Sequence, residues 1–236
     1  MAGAIVGRKS RSRARTLAWL GALLGLMMLT AACLPAQPSA GRGTPVKRVL
    51  IIGDSIAHGL FGTTPKVHSR LTAALADRGV ALRIDGYPGE NPIDTWPSNS
   101  TGWLDRMRAQ IAAFDPDMVI VQSMLFPDPD NPARRELYLG GTRALLDIAG
   151  SRGAHVYLVN HPIPPGAQEA HARAVAQSLQ AQAAAGRGIS TIPLDYWLGS
   201  CDRPYVSDGW HLSANGQACH TLAMVAAVDQ LRGQNG

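Results

Sequence analysis

The sequence predicts an α/β fold, a five-stranded parallel sheet with helices on both faces. Five short runs rich in β-branched residues alternate with longer segments whose apolar residues recur every three or four positions. The third run, Met118–Val121, is wholly apolar, as a strand covered on both faces should be. Strands that alternate with helices require right-handed crossovers, and these lay helices on both sides of a parallel sheet.

Arg48–Ile52 is the first strand and stops at Gly53. Thr64-Pro65 is a cap followed by a first-turn proline; Val67, Leu71, Ala74 and Leu75 then keep helical spacing until Gly79. Val80–Ile84 is the second strand, stopped by Gly86. Trp103, Met107, Ile111 and Phe114 mark a helix that ends at Asp115-Pro116, before the third strand. Arg134–Ala149 reads as a helix despite Gly140 and Gly141, and His155–Val159 as the fourth strand. Gln168–Ala185 is a helix rich in Ala and Gln, Ile189–Leu194 the fifth strand, and Ala214–Leu231 the closing helix.

What precedes this domain has a different character. Arg8, Lys9, Arg11, Arg13 and Arg15 form a basic start, Leu17–Ala32 is an uncharged apolar run, and Ala31 and Ala32 precede Cys33. Residues 1–32 therefore read as a secretory signal peptide, short for a comfortable membrane span. Leu29-Thr30-Ala31-Ala32-Cys33 also resembles a bacterial lipobox, with Thr30 where an aliphatic residue is usual. That resemblance implies lipidation of Cys33 and tethering to the outer face of the cell membrane; plain secretion and an uncleaved anchor are the alternatives. Residues 33–46 have the composition of a flexible linker, and residues 47–236 are one domain's worth of chain.

The whole chain has 22 Lys and Arg against 17 Asp and Glu. Five of the bases and none of the acids lie in residues 1–32, so the remainder carries 17 of each. The basic balance belongs to the targeting segment, and no nucleic-acid footprint is expected. With Cys33 assigned to lipid, Cys201 and Cys219 are left as a disulfide pair in an oxidising compartment, or as two buried thiols.

Gly53-Asp54-Ser55 follows the first strand at its carboxyl end, where active sites of such sheets lie. Alone, it also makes an ordinary turn. Near the other end, Asp208 stands three residues before His211 in a loop entering the last helix. A serine hydroxyl needs an adjacent base to take its proton, histidine suits that task near neutral pH, and a carboxylate on the other ring nitrogen fixes the tautomer. Ser55 as nucleophile, His211 as base and Asp208 as orienting carboxylate form such a set. The competing reading makes Asp208 a helix cap and His211 a residue packed against it.

Gly53-Asp54-Ser55, Gly86-Tyr87-Pro88-Gly89 after the second strand, and Asp208-x-x-His211-Leu212-Ser213 resemble the SGNH (GDSL) hydrolase family, in the family's order and over nearly all the chain after the linker. The resemblance implies a flavodoxin-like three-layer α/β/α fold and a serine esterase that cleaves carboxylic acyl esters through an acyl-enzyme. Its expected substrate is a small-molecule, glycan or lipid acyl ester. It also implies an oxyanion hole built from the backbone N–H groups of Ser55 and Gly89. The family usually has Gly-x-Asn after strand three, with the Asn as a third donor. Here the chain runs Val121-Gln122-Ser123-Met124, which leaves Gln122 or Ser123 for the role, Ser123 being slightly favoured for its short side chain.

An acyltransferase with the same triad, or a carbohydrate- or lipid-binding module that has lost turnover, are the rival functions. Gly53-x-Ser55-x-Ala57 is close to the Gly-x-Ser-x-Gly elbow of α/β-hydrolases, but that fold places several strands before its serine. His155, His161, His171 and His220 lack metal-ligand spacing, and phosphate-binding glycine loops are absent, so neither metal nor cofactor is expected. Trp96, Trp103, Trp197 and Trp210 are expected in the core, Trp210 being the candidate exception because it lies between Asp208 and His211.

Overall fold

The computed structural model describes residues 45–58, 66–89, 102–123, 128–160, 167–209 and 211–234. The chain divides into two compact units, Met1–Gln37 and Pro38–Gly236, and every described residue belongs to the second. The expected signal peptide, Cys33 and all but the last two residues of the 33–46 linker lie outside the described residues.

Strands β1 (Arg48–Gly53), β2 (Ala81–Gly86), β3 (Met118–Gln122), β4 (His155–Asn160) and β5 (Ser190–Pro193) form one parallel sheet in the order β2-β1-β3-β4-β5. The helices are α1 (Ser55–His58), α2 (Lys66–Ala76), α3 (Trp103–Phe114), α4 (Pro132–Gly150), α5 (Ala167–Ala184), α6 (Leu194–Gly199) and α7 (Ala214–Gln234). The flavodoxin-like α/β/α expectation holds.

Because side chains alternate along a strand, each apolar run feeds two cores. Val49 and Ile51 of β1, Met118 and Ile120 of β3, and Val159 of β4 meet Leu71 and Leu75 of α2 and Met224 and Val228 of α7. Leu50 and Ile52, Val119 and Val121, and Val156 and Leu158 point the other way, to Trp103, Met107 and Ile111 of α3 and Leu145 and Leu146 of α4. Burying each such side chain contributes roughly 1.5–3 kcal/mol, so the doubly apolar strands hold the three layers together. Among the described residues, no helix is long and apolar enough to cross a membrane.

The order of the strands also places the site. The crossover helix α2 leaves β1 for one layer, and α3 precedes β3 in the other. The carboxyl ends of β1 and β3, adjacent in the sheet, therefore flank the crevice where the connections part.

Element boundaries differ from expectation where local chemistry overrides periodicity. Helix α4 starts at Pro132 rather than Arg134, because Asn131 caps it by accepting the N–H groups of Ala133 and Arg134 at 3.0 and 3.3 Å. Strand β5 ends at Pro193, which lacks an N–H and suits the edge of a sheet. Leu194, expected as its last residue, instead begins α6, a helix that apolar spacing did not indicate. The stop at Asp115-Pro116 is as expected; Asp115 takes the left-handed conformation (φ 46°) and closes α3 by donating its N–H to the Ile111 carbonyl at 2.8 Å.

Candidate active site

Gly53, Asp54 and Ser55 turn sharply out of β1 into α1. The Asp54 N–H donates to the Gln122 carbonyl at 3.1 Å, so the turn is stitched to the end of β3. The buried Asp54 carboxylate accepts the Ile56 N–H at 3.0 Å and shapes the first turn of α1. Ser55 is thereby carried half-buried at the carboxyl end of the sheet.

His211 reaches this serine from the far end of the chain. Ser55 Oγ lies 3.1 Å from His211 Nε2, and His211 Nδ1 lies 2.7 Å from Asp208 Oδ2. Asp208 Oδ1 accepts the His211 N–H at 2.9 Å, so both carboxylate oxygens hold the same residue. An ionised carboxylate only accepts, which puts the ring proton on Nδ1 and leaves the Nε2 lone pair facing the Ser55 hydroxyl. The His211 side chain is mostly shielded and that of Asp208 is open to solvent.

The loop that presents this pair is pinned along its length. The Val206 N–H donates to the His211 carbonyl at 2.9 Å, Tyr205 and Leu212 form an antiparallel bridge, and the Ser213 N–H donates to the Pro204 carbonyl at 2.8 Å. Ser213 Oγ accepts the Gly216 N–H at 3.2 Å, capping α7, and donates to the Arg203 carbonyl at 2.6 Å. Cys201 and Cys219 are joined as a disulfide, as expected, fastening the start of the loop to the second turn of α7. Burial raises the Tyr205 phenol above its usual range, and neighbouring Arg173 offsets part of that shift.

Gly89 lies just past β2 with φ +76°, a conformation that a side chain would strain. Its turn is tied to that of Ser55: the Tyr87 N–H donates to the Gly53 carbonyl at 2.9 Å, and His58 Nδ1 donates to the Gly86 carbonyl at 2.5 Å. Gly86 permits this approach, since an added Cβ would stand 2.5 Å from the His58 backbone nitrogen.

At the end of β3 the two candidate third donors differ. Gln122 is fully buried, and its Oε1 accepts from His220 Nε2 of α7 at 3.0 Å. Ser123 is 2% exposed. Its carbonyl accepts from Gln180, whose Nε2 also donates to the Tyr138 hydroxyl at 3.0 Å, while its own hydroxyl has no partner among the described residues. Burial holds the Tyr138 phenol well above its ordinary range, with the Asp54 charge adding to the shift.

Trp103 lies in the core beneath α3, as expected, and Trp197 packs partly buried against the core on the other face of the sheet; Trp96 and Trp210 lie outside the described residues. Among the described residues, no group of three or more His, Cys, Asp or Glu is placed to hold a metal ion. Sequence reasoning missed His58, the Gln122–His220 pair and an ion pair between Asp85 of β2 and Arg106 of α3. A histidine one turn after the serine was the one available signal.

The family model described as GDSL-like Lipase/Acylhydrolase matches residues 51–219, from β1 through the loop carrying Asp208 and His211. The chain belongs to the GDSL (SGNH) hydrolase family. Solved structures agree on the fold of this hydrolase. Est24, a carbohydrate acetylesterase from Sinorhizobium meliloti, is similar at 17% identity and a TM-score of 0.59, over 78% of this chain and 99% of that one. The family 3 carbohydrate esterase of Clostridium thermocellum is similar at 18% identity and a TM-score of 0.58, over 82% and 100%. A GDSL-like lipase from Bacteroides thetaiotaomicron matches at 18% identity and a TM-score of 0.56, over 78% and 89%. No curated protein matches this GDSL hydrolase.

Proposed function

We propose that this hydrolase is an exported serine esterase that cleaves carboxylic acyl esters through an acyl-enzyme. The observation that carries the reading is the continuous relay of Ser55, His211 and Asp208, whose serine and histidine are 156 residues apart in sequence. As Ser55 Oγ attacks the ester carbonyl, its proton passes to His211 Nε2, and Asp208 stabilises the imidazolium that forms. Collapse of the tetrahedral intermediate expels the alcohol, which takes that proton from His211. A water then gives a proton to His211 and attacks the acyl-enzyme; the second intermediate expels Ser55 Oγ, which takes that proton from His211 as the acid is released.

Charge on the carbonyl oxygen is met by the N–H groups of Ser55 and Gly89, with the Ser123 hydroxyl as third donor. Gln122 Nε2 and the Ser123 hydroxyl both lack a partner among the described residues; Ser123 is preferred for its short side chain, whereas the Gln122 carboxamide is anchored through its oxygen to His220. The acyl group is borne by a small molecule, glycan or lipid; two of the structural neighbours are carbohydrate esterases by name, which supports the glycan class. Export, and lipidation at Cys33, rest on the basic start, the apolar run and the lipobox-like segment.

A fluorophosphonate probe tests the reading directly. Ser55 should be labelled in the wild type, and Ser55→Ala and His211→Ala should each remove most turnover of a soluble ester. Because triad members act as a unit, the double variant should be little worse than either single one. Labelling elsewhere, or losses that multiply, would reject the assignment.

A further inference from the structure

We infer that Arg106 is a positioning residue for the turn that presents the Gly89 N–H, an assignment that rests on the esterase reading. That turn leaves β2, an edge strand of the sheet, so among the described residues only β1 supports it from within the sheet. On the β1 side it is held by the Tyr87 N–H on the Gly53 carbonyl and by His58 on the Gly86 carbonyl. On the other side stands Arg106 of α3. Its Nε donates to Asp85 Oδ2 at 3.1 Å, and its guanidinium carbon lies 4.2 Å from the centroid of the Tyr87 ring.

Residues 85 and 87 flank the last position of β2, so one side chain grips the strand end and the start of the turn together. The Asp85 carboxylate is 7% exposed, which makes its ion pair far less screened than a surface bridge. Tyr87 is 42% exposed, so its ring is held by the stacked cation rather than by a core. The same ring lies 6.1 Å from that of His58, at the end of the helix that begins with Ser55. Tyr87 thus stands between the serine's helix and Arg106, and the spacing of the Ser55 and Gly89 donors depends on where that ring is held. Only a planar guanidinium can offer an N–H edge to a carboxylate and a face to an aromatic ring at once, a geometry lysine lacks.

A donor displaced by a fraction of an ångström stabilises the transition state less while leaving substrate binding largely intact. Arg106→Met should therefore lower kcat about 10- to 100-fold with KM within about twofold. Arg106→Lys, which keeps the charge, should recover part of that loss. Removing Arg106 strands a buried carboxylate, so Tyr87→Ala provides a variant in which the ion pair survives. It should lose kcat comparably, Tyr87→Phe should lose far less, and Arg106→Met/Tyr87→Ala should be no worse than the poorer single variant. Hydrogen exchange of the peptide carrying Tyr87, Pro88 and Gly89 should be faster in Arg106→Met and in Tyr87→Ala.

Wild-type kcat per folded molecule in both Arg106→Met and Tyr87→Ala would overturn the inference, as would losses that multiply. A wild type with no ester turnover and no phosphonate adduct would instead overturn the esterase reading. Exchange at the turn then decides the role of Arg106 by itself, faster exchange upholding it and unchanged exchange overturning it.

Discussion

Gln122 ends β3 and Ser123 follows it, yet their side chains meet different surroundings, and this separates the consequences of removing each. Gln122→Ala takes away the acceptor of the His220 N–H in a buried setting, which costs about 1–3 kcal/mol of stability. Ser123→Ala removes a hydroxyl with no partner among the described residues, so the fold should lose little, whereas a third oxyanion donor should show as a fall in kcat of about 10²-fold with little change in KM. Full activity in Ser123→Ala would retire that donor. At this scale the meeting of Ser55 with Asp208 and His211 was legible, across 156 residues, because each lies in a short motif, Gly53-Asp54-Ser55 and Asp208-x-x-His211, whose chemistry calls for the other. The pairs Gln122–His220 and Asp85–Arg106 were not, since the partners are 98 and 21 residues apart and each is unremarkable in its own segment.

Elements were legible where hydrophobic period or capping chemistry is strong, and blurred where a connection carries its own short structure. The apolar run Met118–Val121 of β3 and the turn at Asp115-Pro116 fall where expected, whereas α6 follows β5 without a break and hides in the apolar tail of that strand. The segment from Cys201 to α7 has little regular structure, and backbone bonds, Ser213 and the disulfide give it rigidity instead. A bridge that closes 18 residues should contribute on the order of 3 kcal/mol, largely by constraining the unfolded chain. Cys201→Ala/Cys219→Ala should therefore unfold at lower urea, with a transition at least as steep as that of the wild type because the freed unfolded chain exposes more surface. Its kcat should fall more than its KM changes, because Asp208 and His211 ride on the freed segment. A midpoint equal to that of the wild type would show that the other ties suffice.

On the scale of the whole molecule, the charge left after residues 1–32 is balanced, so the export we propose rests on the first segment rather than on a basic surface. If Cys33 is the lipid attachment point, Cys33→Ala should release the hydrolase from membranes; unchanged association would point to an anchor helix. The folded domain should also respond to pH through a group far from Ser55. His155 begins β4, at the end of the sheet opposite the triad, and is buried with Nε2 lacking a partner among the described residues. Burial lowers its pKa below the ordinary value of about 6.5, and the nearby Asp117 charge offsets only part of that shift. Above the unfolded value both states hold the ring neutral, and the contribution of His155 to stability is fully present. Between the two values the unfolded chain binds more protons, so this contribution is lost as pH falls through the folded value and is level below it. Urea titrations from pH 7.5 to 5 should show stability declining with acid, and His155→Phe should remove part of that slope. Only residue 155 differs between the two proteins, so the difference between the two curves isolates His155. Parallel curves would show that burial at the start of β4 leaves no cost for protonating the ring.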